Sequence, residues 1–272
     1  MTTDSFPYVE NYRHAEHGLT EDAGESDSTS SDDNSLTGSS GDDNLFGGFG
    51  DDSLTDNSSD DSLAGGSGND QLNGELGDDS LIGGGGNDNL GGGAGIDTAV
   101  FGGNSSAYTI GSMGASVSGP DGSDTLSNIE RLQFSDKSLA FDMAVSEAGG
   151  KTALLLGACL GANGLNDKAT VGGILDYFNG GYTLTDAATT LVGAGIVAQL
   201  AGGADNKHFV DWIYLNVADA LPDAVTEATL ISYITSGQFT QATFLATVAG
   251  FQLNQDHIGL VGLQDNGMEY YL

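Results

Sequence analysis

Leucine returns every nine residues along the first third of the chain, at Leu36, Leu45, Leu54, Leu63, Leu72, Leu81 and Leu90, and Ala99 closes the series. Most of the intervening positions are Gly, Asp, Asn, Ser or Thr. A nine-residue apolar period matches neither the 3.6-residue face of an α-helix nor the two-residue alternation of a simple strand. Each unit is therefore predicted to be a Gly-rich turn followed by a short strand that points one leucine inward. From residue 29 the units run without insertion as TSSDDNSLT, GSSGDDNLF, GGFGDDSLT, DNSSDDSLA, GGSGNDQLN, GELGDDSLI, GGGGNDNLG and GGAGIDTAV. Their sixth position is Asn34, Asp43, Asp52, Asp61, Asp70, Asp79, Asp88 and Asp97.

The pattern changes twice more. From residue 101 to 142 short β-prone runs (AYTI, ASVS, IERLQF) alternate with Gly-rich turns, which suits a segment capping the last apolar layer of a solenoid. Asp121 and Asp124 lie there in an Asp-Gly turn, and they could alternatively add metal ligands. After Asp142 the spacing becomes helical. Ser146-Glu147, Asn166-Asp167 and Thr185-Asp186 read as helix starts, and Gly180-Gly181 and Gly202-Gly203 read as stops. Further helices are predicted over 206–218, 226–236 and 240–254, with Phe209, Ile213 and Val217 as core residues beside Trp212. The expected organisation is a flexible arm over 1–28, a roll over 29–100, a β cap over 101–142 and a small all-α domain of about six helices over 143–272.

Charge sharpens this picture. Thirty-nine Asp and Glu face six Lys and Arg, a formal net charge of −33. That excludes nucleic acid as a default partner and makes a cation the natural one. Residues 1–145 hold 27 of the carboxylates and 146–272 hold 12. A Gly-, Asp- and Ser-rich segment cannot ordinarily bury enough surface to fold, so an additional source of stability is expected in the first half. The single cysteine, Cys159, reads as a small core residue within ALLLGACLG. No apolar run is long enough to span a bilayer, and the N-terminal stretch MTTDSFPYVENYRHAEH carries no cleavable export signal.

The in-phase units resemble those of the bacterial repeats-in-toxin (RTX) proteins, whose nonapeptide G-G-x-G-x-D-x-U-x is a calcium-binding β-helix repeat. The resemblance covers residues 38–100 well and 29–37 less closely, where Asn34 replaces the aspartate. It implies a parallel β-roll of about four turns in which two units make one eighteen-residue turn, with Ca2+ held between stacked turns. Asp43, Asp61, Asp79 and Asp97 would line one edge, and Asp52, Asp70 and Asp88 the other. The second edge is the stronger candidate, because its turns GGFGD, GGSGN and GGGGN keep every glycine. The first is interrupted by DNSS and GEL. The segment DGSDTLSNIERLQFSD is similar to the stretch that succeeds the RTX repeats of secreted proteins. The C-terminal half, in HFVDWIYLNV, LPDA, FLATVAGFQLNQDHI and VGLQDNGMEY, resembles a helical domain of unassigned activity found in secreted and surface-layer-associated bacterial proteins. It departs from that pattern at Ala220-Leu221, where Gly-Arg usually precedes Pro-Asp.

This resemblance implies an uncleaved C-terminal signal within the last ~60 residues, read by a type I secretion exporter. It also implies a chain that stays unfolded at cytosolic calcium and folds outside, as expected of modules with affinities of roughly 10⁻⁴ to 10⁻³ M. Catalysis is not expected: His14, His17, His208 and His257 are scattered without H-E-x-x-H, no G-x-S-x-G elbow occurs, and the repeat aspartates are accounted for by metal. The expected protein is a secreted calcium-binding scaffold associated with a cell-surface or matrix component. The alternative is a free secreted RTX effector or pore-former.

Overall fold

The computed structural model describes residues 33–271, so the arm over 1–28, with His14 and His17, lies outside the described residues. Eight short strands follow the nonapeptide ruler: β1 (Ser35–Thr37), β2 (Asn44–Phe49), β3 (Ser53–Thr55), β4 (Ser62–Ser67), β5 (Gln71–Asn73), β6 (Ser80–Gly85), β7 (Asn89–Gly91) and β8 (Thr98–Val100). Odd strands pair in parallel in one sheet, and β2, β4, β6 and β8 in a second. The register is eighteen residues: Leu36 pairs with Leu54, Leu54 with Leu72 and Leu72 with Leu90 in the first sheet. Leu45, Leu63, Leu81 and Ala99 align likewise in the second.

The repeat leucines of both sheets meet in one core, and Leu45, Leu54, Leu63, Leu72, Leu81 and Leu90 are each at most 2% exposed. Fully burying one such side chain contributes about 1.5–3 kcal/mol. One apolar residue per nine is thus enough, because every strand spends it on the shared interior. The glycines make the stacking possible. At Gly68 φ is +141°, a conformation that L side chains rarely adopt, and an added Cβ would overlap the Gly50 carbonyl of the turn below.

The segment after residue 100 continues the roll. Its strands are β9 (Thr109–Ile110), β10 (Ser116–Gly119), β11 (Gly122–Ser127), β12 (Arg131–Gln133) and β13 (Ser138–Ala140). β11 stacks in parallel on β7, Leu126 over Leu90, and β12 stacks on β8, Leu132 over Ala99. Residues 101–118 are inserted between the fourth turn and this added one. Antiparallel β9 and β10 then close one sheet, and β13 extends the other. Phe101, Tyr108 and Phe134 pack ring to ring over the end of the leucine core.

The C-terminal half is helical, with nine α-helices among the described residues: α1 (Ala148–Leu160), α2 (Lys168–Asn179), α3 (Leu184–Gly193), α4 (Ile196–Leu200), α5 (Asn206–Ala218), α6 (Ala224–Thr235), α7 (Gln241–Ala249), α8 (Gln252–Ile258) and α9 (Leu260–Asn266). α1 is the centre, with eleven of its thirteen residues buried, Cys159 among them. Phe209, Ile213 and Val217 of α5 are buried in the same core.

Several boundaries differ from the sequence expectation for local reasons. α3 starts two residues early, because Thr183 and Asp186 form a reciprocal capping box. The helix expected to run on from there breaks at Gly195, whose φ is +74°. α6 starts early because Asp223 accepts from the N–H groups of Val225 and Thr226. The helix expected over 240–254 divides into α7 and α8 at Gly250-Phe251. The half expected to be all-α also ends in a strand, β14 (Met268–Tyr270), which pairs antiparallel with β13 and so joins the roll's second sheet.

A buried ion pair ties the two halves where they meet. Arg131 of β12 contacts Asp142 through both guanidinium nitrogens, and its Nη2 also donates to Asn179 of α2 at 3.0 Å. Asp142 in turn accepts from the Gly149 N–H of α1 at 3.0 Å.

Candidate metal centre: two rows of buried carboxylates

The turns fall on two opposite edges of the roll. Those joining β2 to β3, β4 to β5 and β6 to β7 carry Asp52, Asp70 and Asp88. Those preceding β2, β4, β6 and β8 carry Asp43, Asp61, Asp79 and Asp97. Every one of these seven side chains is buried.

Each row is wired in the same way. One carboxylate oxygen accepts the backbone N–H of the sixth residue one turn earlier. On the edge that begins with Asp52, Asp70 accepts from Asp52 and Asp88 from Asp70, both at 2.8 Å. On the edge that begins with Asp43, Asp61 accepts from Asp43 at 2.6 Å, and Asp79 and Asp97 accept from Asp61 and Asp79 at 2.9 Å. The ladder fixes the rotamer, so the other oxygen of Asp61, Asp70, Asp79, Asp88 and Asp97 is held inside the turn with no donor. The space it occupies exists because the turn opens with glycine. A Cβ on Gly65 would overlap the Asp70 carboxylate.

Buried carboxylate without a counter-charge is costly. The ion pairs among the described residues use Arg131, Lys137, Lys168, Lys207 and His208, none of them with a row carboxylate. Burial first, reinforced by neighbouring carboxylates and opposed by the backbone N–H bond, pushes Asp97 up to about 7 and Asp70 and Asp79 up to about 6. A buried row of hard oxygens, with one lone oxygen per turn and no His or Cys among them, fits a hard divalent cation such as calcium rather than a transition metal.

The interrupted edge keeps its hydrogen-bond ladder despite DNSS and GEL. Both rows also run past the eight units. Asp124, in the strand β11 that stacks on β7, accepts the Asp88 N–H at 3.0 Å, and burial pushes it up to about 6. Glu130 accepts the Asp97 N–H at 2.9 Å, its longer side chain reaching across a turn shorter than the others. The signal for Asp124 was present as GPDGSDTLS, a unit with Gly, Asp and Leu at its fourth, sixth and eighth positions, displaced by the inserted residues. Asp121 takes another role, accepting the Tyr108 hydroxyl at 2.5 Å.

The fifth positions, to which sequence reasoning gave no part, form a second ladder of opposite polarity. The Asn69 and Asn87 N–H groups donate to the side chains of Asp51 and Asn69 one turn earlier. Adjacent carboxylates and amides thus stitch each turn to the one before it and the one after it.

A family model for the RTX calcium-binding nonapeptide repeat matches at residues 28–54, 37–72 and 64–99. No curated protein matches the chain. Stacked turns, inward leucines and buried sixth-position aspartates are what such a repeat requires of its fold. Residues 28–99 are thus RTX calcium-binding nonapeptide repeats, and the match implies that this part of the chain binds Ca2+.

Proposed function

We propose that the chain is a non-catalytic, secreted scaffold whose roll is set by calcium outside the cell, with the helical half making contacts at a cell surface or matrix. The observation that carries this reading is the row of buried, donor-less carboxylate oxygens on each edge of the roll. Asp43, Asp52, Asp61, Asp70, Asp79, Asp88 and Asp97 would hold Ca2+ between stacked turns, and Asp124 would extend the row of Asp52, Asp70 and Asp88. When bound, the ion supplies the counter-charge that the rows lack. The residues themselves orient one oxygen each and exclude water around it.

Because the ion binds the folded form, calcium above its dissociation constant stabilises the roll by mass action, about 2.7 kcal/mol per site at a hundredfold excess. At cytosolic calcium the rows repel, which keeps the chain competent for a type I exporter. Calcium titrated into stripped protein and followed by far-UV circular dichroism should raise the β signal between about 0.1 and 10 mM. A flat titration rejects the reading. Washing producing cells with a chelator should release surface-held protein; protein found only in the medium, with dye-leakage activity on vesicles, would favour a free effector instead.

A further inference from the structure

One turn of the roll breaks the glycine rule in a way that adds chemistry. The unit DNSSDDSLA places Asp56 where each other complete unit from 38 to 100 opens with glycine. Asp56 is fully buried, and neither of its carboxylate oxygens has a donor. Its side chain lies over Gly38 of the preceding turn, where an added Cβ would overlap it. There it meets Asp43 and Asp61, and one carboxylate oxygen from each of the three lies within 4.8 Å of the others. No other group of three or more possible metal-ligating side chains comes together in this way among the described residues.

The same unit withdraws neutral ligands from this gap. Asn57 Nδ2 donates to the Gly38 carbonyl at 2.6 Å, and Ser59 Oγ to the Ser40 carbonyl at 2.9 Å. Two backbone oxygens facing the neighbouring turn are thereby occupied, while a carboxylate is added. Asp43 is steadied by Ser39, whose N–H and hydroxyl donate to Oδ2 at 2.5 and 2.9 Å. Asp61 is steadied through its other oxygen by the Asp43 N–H at 2.6 Å.

We infer that Asp43, Asp56 and Asp61 form a three-carboxylate calcium site, distinct from the other turns of the roll and the first to fill as calcium rises. The inference rests on the calcium reading above and adds to it a direct ligand role for Asp56 and an order of filling. Three formal negative charges in one pocket attract a divalent cation more strongly than the other turns, where the sixth-position carboxylate is joined by no such neighbour, and ligand charge count is a main determinant of calcium affinity. The roll would then order from its N-terminal turns toward the cap, since each turn is wired to the next by its carboxylate ladder.

The test is calorimetric titration of CaCl2 into the calcium-stripped full chain, comparing wild type with Asp56→Asn and with Asp56→Gly, which restores the glycine of the repeat. The wild type should show one site about tenfold tighter than the remainder, and both variants should lose it while keeping the weaker class and the same circular dichroism spectrum at saturating calcium. Unchanged affinities and stoichiometry in a folded variant overturn the inference and leave the calcium reading standing. A wild type that takes up no calcium overturns both. If Asp56→Asn does not fold, the Asp56→Gly titration decides alone, because that variant carries the glycine that opens the other turns.

Discussion

Substituting Asp70 by asparagine should change the stability of the metal-free and calcium-bound rolls in opposite directions. Asp70 sits mid-row between Asp52 and Asp88, one parallel strand spacing from each. Asparagine keeps the oxygen that accepts the Asp52 N–H at 2.8 Å, so the ladder survives and only the charge goes. At a strand spacing of about 4.8 Å, two like charges cost ~0.9 kcal/mol even at the dielectric of water, so the two neighbours together oppose metal-free folding by at least ~1.7 kcal/mol. Removing the charge relieves that repulsion. It also removes the charged, donor-less oxygen held beside Gly65 within Asp70's own turn, which should weaken calcium binding there by about tenfold, ~1.4 kcal/mol. The assay is urea unfolding followed by circular dichroism, once in stripped buffer with a stabilising osmolyte and once at saturating calcium. Asp70→Asn should be the more stable protein in the first and the less stable in the second. Loss of stability in both conditions would mean that Asp70 acts through its hydrogen bonds alone, and the electrostatic account of the row would fail.

Acidification should mimic the ion in part. Burial raises Asp56 and Asp97 to about 7 and Asp70, Asp79 and Asp124 to about 6, against an ordinary value of 3.8; the resulting stabilisation of the metal-free roll is complete below about 3.8 and lost as pH rises through 6 to 7. Stripped protein should therefore gain β signal between pH 8 and pH 5, and an unchanged spectrum would count against these buried carboxylates. Replacing Arg131 by methionine strands Asp142 in the seam between roll and helices, and should cost about 3–5 kcal/mol in urea unfolding at saturating calcium. Pairing it with Asp142→Leu should recover much of that loss, and a double variant no better than the single one would show that the seam depends on more than charge balance.

Much of the roll was legible because its energetics are local and repeated. Leu72 reads as core, Asp70 as charge and Gly68 as turn from one nonapeptide, and seven neighbours in phase remove the ambiguity. The features that escaped are non-periodic. Asp124 was visible only as an alternative to a plain turn residue, since it is thirty-six residues beyond Asp88, behind the inserted residues 101–118, and the ruler loses count just where the structure resumes it. Asp56 looked like a damaged glycine position, because a consensus records which residue is missing and not where its replacement points. β14 carries no more than MEY, too short for its partner to be deduced from pattern, and its pairing with β13 depends on where the helices between them deliver it. Two helix starts lie two residues upstream of expectation, one because Thr183 caps in place of Thr185 and one because Asp223 caps a helix expected to begin at residue 226.

The pairing of β14 with β13 turns the molecule from a bead on a string into a bracket. An unbroken series of paired strands, β2, β4, β6, β8, β12, β13 and β14, runs from Asn44 to Tyr270 across the second sheet. The helical half is thereby fastened at both of its ends, by Asp142 at its entry and by β14 at its exit. A body held at two points cannot swivel about a single tether. Whatever face the helices present is consequently aimed in a fixed direction by the roll, and on the proposed function the ion that sets the roll would also set that direction.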